Sequence, residues 1–259
     1  MGLYLAHVLL ISIMFLFARW SNIHAWVRRV PQQHAYSSSA RMAAPLLISI
    51  EGNIGAGKST LLDALRKTNQ DWVFIDEPVG EWSKLKNECG ESMLEVFYKD
   101  RRRWSYTFQN CALLTRFQNI EAAVSKHGGS SMVFVTERCL DTDFHVFTKM
   151  LRADGSIDQL EYDLYVRWFN ELKRTATPLS AIVHVDTAPE VCAERIVKRG
   201  RYGEEAIPLD YLRSLDTYQR AWVDAGDVPC IRASVVDSSA VERFVNKLVN
   251  ESHAKTLLV

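Results

Sequence analysis

Eight consecutive residues, Gly52-Asn53-Ile54-Gly55-Ala56-Gly57-Lys58-Ser59, fit the pattern G-x-x-x-x-G-K-[ST] at every fixed position, and Thr60 extends them. Glycines at this spacing let the backbone wrap so that successive N–H groups point inward at phosphate oxygens. A helix opening at Lys58 adds the favourable partial charge of its N-terminus. Lys58 then reaches the β- and γ-phosphates and the Ser59 hydroxyl ligates Mg²⁺. The alternative is a plain Gly-rich turn, but the motif sits between an apolar run and a helical pattern, where the phosphate mechanism needs it. The chemistry implied is nucleoside triphosphate binding, and the motif does not name an acceptor.

Acceptor chemistry needs a proton acceptor on the same rim. Glu77, in Asp76-Glu77-Pro78, follows a second apolar run. In a parallel sheet, functional groups collect at the carboxyl ends of strands. A carboxylate there can take the proton of an attacking hydroxyl, although a surface or capping acid is the plainer reading. Trp82 offers a face for stacking a base, or ordinary core packing. Glu137-Arg138 follows a third apolar run, and its two charges suit Mg²⁺ and phosphate, or a structural ion pair. Gln109, Ala112 and Arg116 share one helix face by spacing. The Gln109 amide can meet a base edge, and a buried Arg116 needs a carboxylate, for which Asp143 is the candidate. Arg195 and Arg199 lie four apart, and Arg201 follows in a Gly-flanked loop. Guanidiniums so placed can offset charge on a transferring phosphoryl group, and the glycines suit a lid. Arg101-Arg102-Arg103 reads as a solvated face.

The elements that must carry these groups alternate. Apolar runs at 46–50, 72–76, 132–136, 181–185 and 228–232 read as strands. Helical patterns lie at 58–68, 91–127 with a stop at Gly128-Gly129, 140–152, 158–174, 188–198, after Pro208, and 239–250. A polar loop spans 199–207. Alternation of this kind implies an α/β fold with a five-stranded parallel sheet covered on both faces.

Composition narrows the class further. The 31 basic and 31 acidic residues balance, so no global field favours nucleic acid or an acidic membrane. The five cysteines show no C-x-x-C pair, which argues for reduced thiols and against a disulfide framework or a zinc site. Base-specifying N-K-x-D and D-x-x-G switch patterns are absent, which argues against a GTPase. Residues 1–44 differ from the rest: no acid precedes Glu51, residues 3–18 are apolar except for His7 and Ser12, and Arg and Ser follow. This extension reads as an organellar targeting segment, a membrane anchor slightly short of the ~20 residues a span needs, or a dispensable leader ahead of a start at Met42. Localisation, mitochondrial or cytosolic, hangs on it, as does any membrane contact. Residues 45–259 form the expected catalytic domain, and a chain beginning at Met42 is expected to be fully active.

Taken together, Gly52–Thr60, Glu77-Pro78-Val79 with Trp82, Arg103-Trp104-Ser105-Tyr106-Thr107-Phe108-Gln109, Glu137-Arg138, Arg199-Gly200-Arg201 and Ile207-Pro208-Leu209-Asp210-Tyr211-Leu212 resemble the deoxyribonucleoside kinase family of deoxycytidine, deoxyguanosine and mitochondrial thymidine kinases. The resemblance runs from about Leu46 to Val249. It implies a P-loop kinase fold with an Arg-rich lid, ATP and Mg²⁺ as cofactors, and a homodimer formed through the long helices. It also implies transfer of the ATP γ-phosphate to the 5′-hydroxyl of a deoxyribonucleoside, with nucleotide salvage for DNA synthesis as the setting. By resemblance Glu77 is the general base, Gln109 and Trp82 hold the base, and Tyr98 and Glu204 bind the sugar 3′-hydroxyl. Glu137 ligates Mg²⁺, Arg138 sits near the reacting oxygen and phosphate, and Arg195, Arg199 and Arg201 are lid arginines. Two positions depart from the family: Cys139 stands where Ser is usual, and Tyr202-Gly203 intervene before Glu204-Glu205. The Arg116 and Asp143 pair resembles the deoxycytidine and deoxyguanosine type, tilting the acceptor toward deoxycytidine or a purine deoxynucleoside. Asp76 beside Glu77 argues against a thymidylate-type monophosphate kinase, since two carboxylates repel a phosphate already on the substrate. A non-catalytic, membrane-tethered nucleotide-binding protein is the remaining alternative.

Overall fold

The computed structural model describes residues 44–128, 132–201, 203–204, 207–234 and 237–257. The expectations for residues 1–43, Gly129, Tyr202 and Glu205 lie outside the described residues. Among those described, no helix is long and apolar enough to cross a membrane.

Strand β1 (Leu46–Glu51) is the axis of the sheet, and from Leu47 onward every residue is buried. It runs parallel to β3 (Val133–Glu137) on one side and β4 (Leu179–Val185) on the other. Strand β2 (Val73–Ile75) pairs with the far side of β3, and β5 (Cys230–Ala233) with the far side of β4, giving the order β2-β3-β1-β4-β5, all parallel. This is the expected five-stranded sheet. The central strands are continuous apolar runs because both of their faces are covered.

Register decides which side chains share the rim. Ile50 lies opposite Glu137, and Ile75 opposite Thr136. Two residues past Ile75 and Thr136, Glu77 and Arg138 therefore leave the sheet side by side, next to the loop that follows β1.

On one face, helices α1 (Lys58–Thr68) and α9 (Ser238–Leu257) cover the sheet through Leu61, Leu62, Leu65, Val241 and Val245, with Cys192 and Ile196 of α7 (Pro189–Arg199) in the same core. The other face carries α3 (Met93–Lys99), α4 (Arg101–His127), α6 (Gln159–Lys173) and α8 (Leu209–Asp224). With them lies α5, which runs from Leu140–Thr142 through a π-helical Asp143–Thr148 into Lys149–Ala153.

Several boundaries differ from the sequence expectation: α9 runs on to Leu257 instead of ending near 250, strand ends move by one or two residues, and four further differences have a local cause. The helix expected over 91–127 is two helices, broken at Asp100, whose backbone is at φ −144°, ψ 82° and whose carboxylate accepts from Arg103 N at 3.1 Å. Asp prefers this local bond to a helical interior, so it ends α3 and caps α4. Val79–Trp82 forms a short helix, α2, where the Pro78 ring fixes the entry. Strand β5 starts two residues late because Pro229 cannot donate to the ladder; its carbonyl instead accepts from Ile182 N at 2.9 Å. The π-helical turn in α5 carries no periodicity signal and went unforeseen.

Candidate active site

The loop after β1 is shaped by its glycines. Gly52 and Gly55 have φ of 141° and 78°, in the region that favours glycine. A Cβ on Gly52 would lie 2.6 Å from the Val185 carbonyl oxygen, and one on Gly55 would lie 2.6 Å from that of Cys192. The loop is thus pressed between the end of β4 and the start of α7, and no side chain fits at either point. Lys58 opens α1 with its Nζ donating to the Asn53 carbonyl at 2.9 Å. The Asn53 amide in turn donates to the Leu212 carbonyl at 2.8 Å, tying the loop to the first turn of α8.

Glu137, the last residue of β3, faces this loop. The Ser59 hydroxyl donates to Glu137 Oε2 at 2.9 Å, and Lys58 Nζ lies 3.6 Å from Oε1. A hydroxyl and a carboxylate converging here form a hard-oxygen donor set of the type Mg²⁺ takes. Burial, with Arg138 nearby, lowers the Lys58 ammonium to about 8 against the pull of Glu137 and Glu77.

Arg138 holds an uncommon backbone for a non-glycine residue, φ 66°. Its N–H donates to the Ile50 carbonyl at 3.1 Å, its carbonyl accepts from the Thr136 hydroxyl at 2.9 Å, and its guanidinium stacks 4.8 Å over Phe147. These contacts fix its Nε 3.4 Å from Glu77 Oε1. Arg116, buried on α4, gathers three partners: Asp143 Oδ2 at 2.9 Å, the Glu137 carbonyl at 2.7 Å and Glu77 Oε1 at 3.3 Å. Burial alone would raise the Glu77 carboxyl, but Arg138, Arg116 and Lys58 together hold it below the usual carboxylate value. Glu77 is therefore an anion, fixed in direction, with one oxygen committed to two guanidiniums.

A cleft of about 260 Å³ joins these groups. Its lining combines polar groups, Lys58, Ser59, Glu137, Arg138, Arg199 and Arg201, with the rings of Trp82, Phe97, Phe108 and Phe147, and includes Gln109, Tyr98 and Glu204. Glu77 lines it too, held by Arg116 and Arg138. The arrangement can hold a polyphosphate and a flat, partly apolar molecule together, with a carboxylate in the same wall.

Most residues singled out from the sequence line this cleft, but Gly52, Asn53, Ala56, Gly57, Thr60 and Arg195 do not. Arg116 and Asp143 form a buried pair, as anticipated. Trp82 is only 3% exposed; its indole donates to the Thr115 hydroxyl at 3.0 Å and its ring meets Phe108 edge-on at 5.2 Å, so it is a fixed wall. Arg195 lies outside the cleft wall and grips the phosphate loop by donating to the Ala56 carbonyl at 2.8 Å. Arg199 and Arg201 both pair with Glu204, which is 4% exposed. Asp76 touches the rim but is tied to Arg66 of α1 at 2.6 Å, so the charge that meets a ligand is chiefly that of Glu77. Cys139 is buried, with its N–H on the Thr142 hydroxyl at 3.2 Å. Arg101, read as solvated, lies 5.2 Å over the ring of Tyr211.

Sequence reasoning missed Phe97, Phe147 and Tyr211 as wall residues. The helical period at 91–127 marks Phe97 as core without showing that the core opens there, and Phe147 is aimed by the π-helical turn. Among the described residues no group of three His, Cys, Asp or Glu side chains is placed to hold a metal ion.

Comparison with known proteins supplies the family. A family model described as "Deoxynucleoside kinase" matches residues 48–257. Deoxycytidine kinase 2 of Gallus gallus is 35% identical over 193 residues, covering 68% of this chain and 73% of its own length. The mitochondrial deoxyguanosine kinase of Xenopus laevis is 31% identical, over 68% of this chain and 72% of its own. A probable deoxycytidine kinase of fowlpox virus is 30% identical, over 77% and 80%.

Proposed function

Because the chain belongs to the deoxynucleoside kinase family, whose members use ATP with Mg²⁺, we propose that it phosphorylates the 5′-hydroxyl of deoxycytidine or a purine deoxynucleoside. The observation that supports this most is the position of Glu77, ionised and fixed in the one cleft that a phosphate loop and an aromatic wall both line.

In this reading residues 52–60 cradle the triphosphate, with backbone N–H groups and Lys58 on its oxygens. Ser59 and Glu137 are the residues that would hold Mg²⁺, and the ion, when bound, supplies positive charge against the phosphate oxygens. Trp82 and Phe108 flank the base, and Gln109 meets its edge. Arg116 with Asp143 fills the space beside a pyrimidine C5, which disfavours the thymine methyl. Tyr98 and Glu204 take the sugar 3′-hydroxyl, leaving the 5′-oxygen beside Glu77. The carboxylate accepts the hydroxyl proton as the oxygen attacks in line, and Arg138 faces the charge that develops. Arg199 and Arg201 close over the phosphates, while Arg195 steadies the loop that holds them.

The test is a side-by-side assay of ADP release with four deoxynucleosides and thymidine monophosphate. Deoxycytidine or a purine deoxynucleoside is expected to lead. Preference for the monophosphate overturns the acceptor assignment, and ATP binding without turnover on any acceptor overturns the kinase reading.

A further inference from the structure

Glu51 is the last residue of β1 and is wholly buried, and the chemistry proposed above gives it no part. A buried acid is costly unless specific bonds hold it. Glu51 has two, both on one oxygen. Ser49, two residues back on the same face of the strand, donates to Oε1 at 2.5 Å. The hydroxyl of Thr142, in the first turn of α5, donates to the same atom. The other carboxyl oxygen has no partner among the described residues. Burial raises the Glu51 carboxyl although Arg138 and Arg116 pull it down, which favours a role as hydrogen-bond acceptor over one as counter-charge.

Thr142 passes the bond on. Its proton goes to Glu51, so its oxygen is free to accept, and the Cys139 N–H donates to it at 3.2 Å. The residues that border this link are the ones that hold Glu77. Arg138, one before Cys139, sits at φ 66° with its Nε 3.4 Å from Glu77 Oε1. Asp143, one after Thr142, holds Arg116 at 2.9 Å, and Arg116 lies 3.3 Å from that same Glu77 oxygen. Both guanidiniums on Glu77 therefore depend on backbone that the Glu51–Thr142 bond ties to β1, the strand that feeds the phosphate loop. We infer that Glu51 and Thr142 are positioning residues: their hydrogen bond locks the turn between β3 and α5 against β1, and so keeps Arg138 and Arg116 where they aim the Glu77 carboxylate. This rests on the role of Glu77 proposed above.

A group that positions a base acts on turnover more than on affinity, and acts only while that base is present. Thr142→Val keeps the shape and removes the donor. Thr142→Ser keeps the donor, and Glu51→Gln keeps an acceptor oxygen without the charge. The experiment measures kcat and KM of each with ATP and the best acceptor of the assay above, and of Thr142→Val again in a Glu77→Gln background. Thr142→Val is expected to lose about 5- to 50-fold in kcat with both KM values within about threefold, while Thr142→Ser and Glu51→Gln stay within about threefold of wild type. In the Glu77→Gln background the same change should cost less than about twofold more, since no carboxylate remains to be aimed. Thr142→Ala, which adds no bulk, serves the same comparison where Thr142→Val lowers the yield of folded protein. An unaltered kcat on loss of the hydroxyl, an equal loss with and without Glu77, or a loss in Glu51→Gln as large as that in Thr142→Val would each overturn the inference. Near-normal turnover of Glu77→Gln alone overturns the parent reading instead, and is read before any Thr142 variant is made.

Discussion

Glu77 is surrounded by three cations and yet lines the cleft, a combination that keeps it ionised while leaving it able to meet a hydroxyl. Glu77→Gln should retain ATP and nucleoside affinity and lose turnover by roughly 10²–10⁴-fold, the scale of general-base catalysis; rapid-mix kinetics with equilibrium binding separates the two. Lys58 makes a pH prediction. Its folded pKa of about 8 lies below the ordinary lysine value of 10.5. The ammonium is therefore charged below pH 8 and neutral above it in the free protein, and ATP affinity should fall as pH rises through that point. For stability the sign is opposite: between pH 8 and 10.5 the unfolded chain binds the extra proton, so the free fold gains stability as pH rises across that window. Titration calorimetry with ATP and thermal melts, both from pH 7 to 10, follow the two trends. At this scale the sequence is most informative where a residue type is forced by chemistry. The phosphate motif, Glu77 and the Glu137-Arg138 pair are legible because strand ends fix them. Trp82 as a fixed wall and Asp76 tied back to Arg66 were not legible, because each depends on a rotamer and a partner on another helix.

The alternation of strands and helices was readable from apolar runs alone, since a doubly covered parallel sheet needs continuous hydrophobic strands. Its interruptions were not. The break at Asp100 and the π-helical turn at Asp143–Thr148 leave the hydrophobic period nearly intact, yet the second brings Asp143 to Arg116 and Phe147 under Arg138. The connection between β1 and α1 shows how tightly one element depends on another. Gly55→Ala puts a methyl group 2.6 Å from the Cys192 carbonyl at a φ that L-residues rarely adopt. The loop must then move away from α7. The expected result is a protein that folds with a melting temperature lowered by a strain of about 1–3 kcal/mol and binds ATP at least tenfold more weakly, measured by calorimetry; ATP affinity within twofold of wild type would show that the loop tolerates the shift.

At the scale of the whole molecule, α6 presents Leu160, Leu164 and Trp168, spaced four apart and 78%, 43% and 51% exposed, beside the buried face that carries Tyr165 and Phe169. An exposed apolar stripe of this kind marks an interaction face, and a second copy of the chain is the occupant that the family resemblance implies. If the chain dimerises through this face, light scattering should give a dimer mass for the unaltered protein and a monomer mass for Leu164→Glu with Trp168→Glu; a monomer mass for both removes the stripe as a dimer face. The lid carries a consequence of its own. Both oxygens of Glu204 are taken, one by Arg199 and one by Arg201. Whichever guest draws those arginines toward its own negative charge sets the carboxylate free to greet the other guest, and by thermodynamic reciprocity the favour is returned in equal measure. With the ligand roles proposed above, a single acid wedged between two arginines would make occupancy at one end of the cleft an invitation at the other.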